Sequence, residues 1–420
     1  MNQRLEGLKQ RVRRGEHRIL RRPEPMSILE ECEVEELSWM RRVARLTVRQ
    51  CEAETPIIAP DEQIVFTRTL PADTPPIYSK EDWERHSEGQ TLHELGPISN
   101  ISADWGKVLA QGLLGRRAVA MASRQQYHDD PEAVEFLDSA IETIDAVLAL
   151  AKRYAEAARA KSRDEIAEIL EWVPANPPRS FHEALQSLRL LHAVVWLNGH
   201  YHVGLGRFDQ YMWPYLKADL DSGRLDENHA ADLLAEFFIS LNKDSDLYPG
   251  VQQGDNGQTI TLGGVDRDGR SSINELTYMA LQVSRDVSMI DPKINLRISA
   301  DTDLDLLALA TELTRKGLGF PQYSNDDVVI PALVAHGYQL EDAREYAVAA
   351  CWEFLIPGKG MEVVNIGAVS FPAAVDQAIR QGLLAGENME GILQRVKANI
   401  QKQVNRLADS YERLLPTIRC

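Results

Sequence analysis

The tripeptide Cys351-Trp352-Glu353 puts a thiol and a carboxylate two residues apart, ahead of a turn rich in Pro357, Gly358 and Gly360. Ala347 to Ala350 reads as a small-residue strand that delivers Cys351 to a loop, where a rigid scaffold can hold thiol and carboxylate together in a cleft. The same spacing also fits a buried core cysteine beside a surface glutamate, since Cys-x-Glu is common and free cysteine is often buried. The four cysteines, Cys32, Cys51, Cys351 and Cys420, are widely spaced and form no CxxC, so neither a disulfide framework nor a zinc site is expected. His200 and His202, in LLHAVVWLNGHYHVGLGR, could share one side of a strand as a metal-ligand pair. They lack a third ligand nearby and read as hydrogen-bonding core or cleft residues, so no metal is expected.

The elements that must carry this loop are legible in outline. Ile28 to Ala53 reads as a helix, and the Pro-punctuated stretch Thr55 to Pro76 as loop with one strand at Gln63-Ile64-Val65-Phe66. Asp130 is placed to cap a helix with Pro131 at its first position, and Val134, Leu137, Ile141, Ile144 and Leu148 share one face. Pro174, Pro177 and Pro178 interrupt, and Ser180 caps the next helix. Beyond Asn242 the pattern changes. Gln258 to Leu262 and Ile294 to Ile298 alternate like strands, with helices at about 273–283 and 303–316 between and after them, and Leu340 to Tyr346 reads as a short helix. Strand and helix in alternation imply an α/β fold. No internal repeat, low-complexity run or Gly/Ser linker divides the chain, so residues 1–420 are read as one domain.

The formal charge of -17 argues against a nucleic-acid surface, and the basic run Arg11 to Arg22 reads as a solvated helix face. No window reaches the roughly 18 apolar residues of a membrane helix, and the amino-terminus is charged throughout, unlike a signal peptide. A cytoplasmic location is expected, with no membrane partner.

Several ordered blocks carry a resemblance. They are Asp104 to Leu109, Leu205-Gly206-Arg207-Phe208-Asp209-Gln210-Tyr211, Thr261-Leu262-Gly263-Gly264-Val265-Asp266 with Asn274-Glu275-Leu276, and Asn325-Asp326-Asp327. Leu340-Glu341-Asp342-Ala343-Arg344, Cys351-Trp352-Glu353 and Pro357-Gly358-Lys359 follow in order. Together they resemble the cysteine-loop half of the glycyl radical enzymes, the pyruvate formate-lyase-like family, and within it the glycerol and choline lyase branch. The resemblance implies a helical N-terminal layer packed on half of a ten-stranded barrel, with the cysteine on a finger loop at the barrel centre. It also implies that Cys351 becomes a thiyl abstracting hydrogen from a small polar substrate. Glu353 would then act as general base, with C–X bond cleavage of dehydratase, lyase or decarboxylase type.

The family's radical-glycine motif, Arg-Val-x-Gly before an aromatic residue, is absent from these residues. The resemblance therefore implies that no cofactor is bound directly and that the glycyl radical comes from a partner subunit or domain, installed by a radical SAM activating enzyme. A split enzyme, a fragment of a longer chain and a non-catalytic homologue are the three readings this leaves. Open strand edges of a half-barrel make an oligomer or partner the expectation. Ala350 stands where the formate-lyase branch has a second cysteine, which argues against acyl transfer from pyruvate. No Gly-His precedes Asp104, which argues against a diol substrate. Trp352 replaces a small aliphatic residue, either walling the pocket or turning away into the core.

Overall fold

The computed structural model describes residues 1–22, 26–71, 75–81, 84, 101–199, 202–244, 257–350, 352–360 and 369–414. The chain forms two compact units, Met1–Ile77 with Asn100–Glu362, and Tyr78–Ser99 with Val363–Cys420.

The first unit begins with helices α1 (Gln3–Arg13), α2 (Leu29–Val34) and α3 (Trp39–Ala53). The single helix expected over Ile28 to Ala53 is thus two. Glu36 takes a left-handed φ of 48°, and Ser38 restarts the helix by accepting the Arg41 N–H. After β1 (Ile101–Ser102) come α4 (Trp105–Gln126), α5 (Pro131–Ala160), α6 (Asp164–Trp172) and α7 (Phe181–Leu197). Asp130 and Ser180 cap α5 and α7 as their side chains and positions predict. α4 is broken at Gly112, whose φ of 65° lets the chain touch the backbone of Ala175 and Asn176, where a Cβ would come within 2.5 Å.

The stretch Gln63 to Phe66 is not a strand. Ile64, Val65 and Phe66 are fully buried, yet their backbone groups pair with side chains rather than with another strand. Gln186 of α7 accepts from the Val65 N–H at 2.8 Å and donates to the Val65 carbonyl at 2.9 Å. Glu236 accepts from the N–H groups of Gln63 and Ile64, and Arg189 donates to the Phe66 carbonyl. The apolar run marked the burial correctly, but the hydrogen-bond partners lie on helices distant in sequence.

Strands β2 (Val203–Gly204) and β3 (Gly206–Arg207) lead into α8 (Phe208–Asp221) and α9 (Glu227–Leu241). Then β4 (Thr259–Gly263), α10 (Glu275–Val287), β5 (Lys293–Ile298), α11 (Leu304–Thr314) and β6 (Gln322–Asn325) follow in alternation. β1 and β2 pair in parallel, and β3, β4, β5 and β6 form a four-stranded parallel sheet in that order. The register aligns Arg207, Thr261, Asn295 and Gln322 in one row, and Gly263, Arg297 and Ser324 in the next. Because strand side chains alternate, Ile260, Leu262, Ile294 and Leu296 point together to the opposite face, all fully buried in the main apolar core. Phe208 and Phe237 stack there with centroids 5.8 Å apart. One face of the sheet is therefore apolar and helix-covered, and the other is polar yet buried.

α12 (Asp326–Ala335), α13 (Leu340–Arg344) and the antiparallel hairpin of β7 (Ala347–Ala349) with β8 (Glu353–Leu355) complete the unit. The second unit contributes α14 (Phe371–Leu384) and α15 (Met389–Leu414). Ser370 caps α14, and Gly382 allows the close approach of Ile392 on α15, where a Cβ would meet it at 2.5 Å. Arg395 closes the turn between them by pairing with Glu387 at 2.6 Å. The α/β class, with a helical layer on a parallel sheet, is as the sequence predicts.

Candidate functional site

The hairpin lies against the buried polar face of the sheet. Val348 donates its N–H to Thr261 Oγ1 at 3.0 Å, and Thr259 Oγ1 donates to the Ala350 carbonyl at 2.8 Å. Arg297 donates from Nη1 to the Tyr346 carbonyl at 3.2 Å, and its guanidinium lies 4.0 Å from the Tyr346 ring centroid. Two threonines on alternate positions of β4 and one arginine on β5 thus grip every second residue, Tyr346, Val348 and Ala350, of the segment that leads to position 351.

Arg297 is fully buried, and its charge is met by Asp326 through two parallel hydrogen bonds of 2.9 Å. Asp326 also accepts from the Tyr346 hydroxyl at 2.7 Å and from the Val265 N–H at 3.1 Å. Burial pushes the Tyr346 hydroxyl well above its ordinary pKa, which keeps it a neutral donor. Gly264, at φ 76°, leaves room for this pair, since a Cβ there would come within 2.5 Å of Arg297 Nε and 2.7 Å of Asp326 Oδ2. On the apolar side of the same corner, Asp209 accepts from the Gly263 N–H and from the Thr277 hydroxyl, at 2.7 and 2.6 Å. Burial raises the Asp209 pKa, and these donors oppose the rise.

The register Ala349 to Glu353 closes the hairpin around three positions. Cys351, the middle one, lies outside the described residues. Ala350 before it has a left-handed φ of 50°, a conformation that costs a non-glycine residue roughly 1 kcal/mol or more and is held here by Thr259. Gly257, at φ 62°, sits against this turn: a Cβ on it would approach Ala350 Cα to 2.8 Å and the His202 ring to 2.7 Å. His202 is buried, at φ 62°, and β2 begins only at Val203, so it does not lie on a strand; His200 lies outside the described residues. Glu353 opens β8, partly exposed, and its Oε2 accepts the Trp352 N–H at 2.9 Å. Trp352 is 56% exposed, so it does not turn into the core.

The Pro-Gly turn after the hairpin is anchored too. Gly358 donates to the Ser102 carbonyl at 2.9 Å, its φ of 71° packing it on Asp104, and Lys359 pairs with Asp342. The other described cysteines, Cys32 and Cys51, are buried, and burial pushes the Cys51 thiol up to about 12, leaving it inert as a thiolate source. Among the described residues no group of three His, Cys, Asp or Glu side chains could hold a metal ion, and no helix is long and apolar enough to cross a membrane.

Sequence reasoning singled out Cys351 and Glu353 but missed the contacts that anchor the hairpin at Tyr346, Val348 and Ala350, made by Arg297, Thr261, Thr259 and Gly257. The available signal was polar residues at alternate positions of otherwise apolar strands, Thr259 with Thr261 and Asn295 with Arg297. That pattern indicates a second, polar face that something else must cover.

A sequence model described as pyruvate formate lyase-like matches residues 78–416. The chain is 30% identical over 304 residues to isethionate sulfite-lyase of Nitratidesulfovibrio vulgaris, covering 66% of this chain and 37% of that protein. It is also 30% identical over 263 residues to trans-4-hydroxy-L-proline dehydratase of Clostridioides difficile, covering 57% and 32%. The chain thus spans well under half the length of the curated relatives it matches. The glycerol-bound B12-independent glycerol dehydratase of Clostridium butyricum superposes with a TM-score of 0.77 at 22% identity, over 98% of this chain and 63% of that one. A glycyl radical enzyme from Archaeoglobus fulgidus gives 0.76 at 21% identity, over 97% and 65%. The fold is that of these enzymes. With a cysteine hairpin hung on the polar face of a parallel sheet and the family pattern running through both units, this chain belongs to the pyruvate formate lyase-like family.

Proposed function

We propose that this chain is the thiyl-bearing portion of a glycyl radical lyase that breaks a C–X bond in a small polar substrate, with Cys351 as hydrogen-atom carrier and Glu353 as general base. The observation that supports this reading is the hairpin on either side of position 351, whose backbone at Tyr346, Val348 and Ala350 is bonded to threonine and arginine side chains of the buried sheet. A group that must take a hydrogen atom from one defined carbon needs such fixed placement. The relatives named as sulfite-lyase and dehydratases support cleavage in which sulfite or water departs from the carbon next to the radical. A glycyl radical, when present, supplies the hydrogen-atom acceptor that converts the Cys351 thiol to a thiyl. Cys351 then takes hydrogen from the substrate carbon and returns one to the product radical, so the thiyl is regenerated. Glu353 takes the proton of a substrate hydroxyl as the neighbouring group leaves. Trp352, beside it, would supply an aromatic wall.

The radical-bearing glycine comes from another polypeptide or another part of a longer protein, activated by a radical SAM enzyme. Supporting this, β6 has a sheet partner on one side only among the described residues. Asn295 Oδ1 and Gln322 Oε1, buried on the polar face, have no hydrogen-bond partner there either.

The test is a reconstituted complex in which radical content, substrate affinity and product are measured. Cys351→Ser abolishes turnover, because an O–H bond is too strong to exchange hydrogen with the substrate. Glu353→Gln lowers turnover by ~10²–10⁴-fold while binding and radical content survive. Product formation by Cys351→Ser would remove the thiyl assignment. Normal turnover by Glu353→Gln would move the base elsewhere.

A further inference from the structure

The helices of the second unit have no core of their own. Between residues 371 and 412 the buried positions are Ala374, Ala378, Gly382 and Ser410, so α14 and α15 bury no large apolar side chain there. Two helices without such burial do not offset the entropy of ordering them. Their mutual contact is made by small residues. Ala374, Ala378 and Gly382, four residues apart, form the ridge of α14 that meets α15, where Asn399 Nδ2 donates to the Ala374 carbonyl at 3.1 Å and Ile392 lies against Gly382.

Beside that ridge runs a second one of large apolar side chains, also four apart: Phe371, Ile379 and Leu383 are exposed, Leu383 by 66%, and Val375 is half-buried. On α15, Met389, Leu393 and Val404 are exposed as well. In each helix the apolar stripe lies about a quarter-turn from the contact ridge, in the direction in which the chain advances. Antiparallel helices turn in opposite senses when seen from one end, so the two stripes fall on the same side of the hairpin. With 14 residues in α14 and 26 in α15, lying side by side, that side offers on the order of 600 Å². A pair of such faces covers about 1,200 Å², the size at which specific dimers begin.

The rim of the face selects its occupant. Asp376 and Arg380, paired at 2.9 Å, stand on the outer flank of the α14 stripe, so one edge carries both an acid and a base. A twofold axis across the helices lays α14 of one copy antiparallel on α14 of the other, apolar stripe on apolar stripe, and brings each Asp376 towards the opposite Arg380. The face is thus its own complement. We infer that the apolar side of the α14–α15 hairpin is a docking surface for the same hairpin of a second copy of this chain, the two forming a four-helix bundle.

Sedimentation equilibrium of the whole chain is expected to show a dimer that dissociates at micromolar or lower concentration. Ile379→Glu and Leu383→Lys each place a charge in the middle of the joint face and should raise the dissociation constant by roughly hundredfold or more, with circular dichroism native because both side chains are exposed in the single chain. Val328→Glu, on the exposed apolar surface of α12 in the first unit, should leave dimerisation unchanged. Amide exchange gives a readout free of any variant: α14 amides of the unaltered chain should become more protected as concentration rises through the dissociation constant, while those of α5 do not change. A monomer at every concentration overturns the proposal and assigns the face to another polypeptide or to the rest of this chain. A dimer that survives both α14 substitutions, one that Val328→Glu dissolves instead, or α14 exchange indifferent to concentration overturns it equally.

Discussion

At the scale of single residues, the hairpin tip is a place where one missing Cβ decides the geometry. Gly257 is left-handed at φ 62°, and a methyl group on it would drive into the Ala350 backbone at 2.8 Å and the His202 ring at 2.7 Å. Ala350 is itself left-handed and accepts a hydrogen bond from Thr259, so the methyl group would press on a turn already in a disfavoured conformation. Gly257→Ala should therefore fold, with a stability loss of about 1–2 kcal/mol from the backbone strain. Its turnover in the reconstituted enzyme should fall by roughly 10²-fold, the scale expected when a reacting group is displaced by about an ångström. Turnover at the native rate would show that Gly257 does not position the turn.

At the scale of elements, the hairpin and the sheet recognise each other through side chains rather than through a shared ladder. Thr261 Oγ1 is the acceptor for the buried Val348 N–H, and valine would keep its shape while removing that acceptor. Leaving a buried donor unpaired costs about 1–3 kcal/mol, so Thr261→Val should lower the unfolding free energy by that amount in a urea titration. Exchange of the Val348 amide should accelerate in the same variant while amides of α5 remain protected. An unchanged urea midpoint together with unchanged exchange would mean that the hairpin is held by packing alone.

At the scale of the whole molecule, the buried titratable groups shape how stability depends on pH. His192 on α7 is fully buried between Trp105 and Trp196, with ring centroids 6.0 and 6.5 Å away, and its Nε2–H donates to the Val203 carbonyl at 3.0 Å. Burial lowers its pKa to about 4, against an ordinary value of 6.5. Between those two values the unfolded chain binds a proton that the folded chain does not. Stability therefore falls as pH drops from 6.5 to 4, and this contribution is flat below that window. The loss is on the order of 3 kcal/mol. His192→Phe keeps an aromatic ring between the tryptophans, and its stability should decline less over the same range in paired urea titrations. Parallel curves for the two proteins would show that His192 is protonated in the fold without penalty.

What the sequence by itself determined is local. The caps Asp130 and Ser180, the alternating strands β4 and β5, the short helix before the hairpin and the Cys-x-Glu pair all depend on contacts within a few residues, so side-chain type and period suffice to read them. Ordered blocks scattered along the chain likewise carried the family. The tertiary structure decided the pairings made across long stretches of chain. Gln63 to Phe66 has a strand's burial pattern, but Gln186 and Glu236 on helices satisfy its backbone, which no local rule can foresee. The same holds for the Arg297 pair with Asp326 and the Arg189 pair with Asp244, whose four charged side chains would read as surface residues anywhere else. Burial of a charge is tolerated only when a partner arrives from elsewhere in the fold, and that arrival is a property of the packed chain rather than of any segment of it.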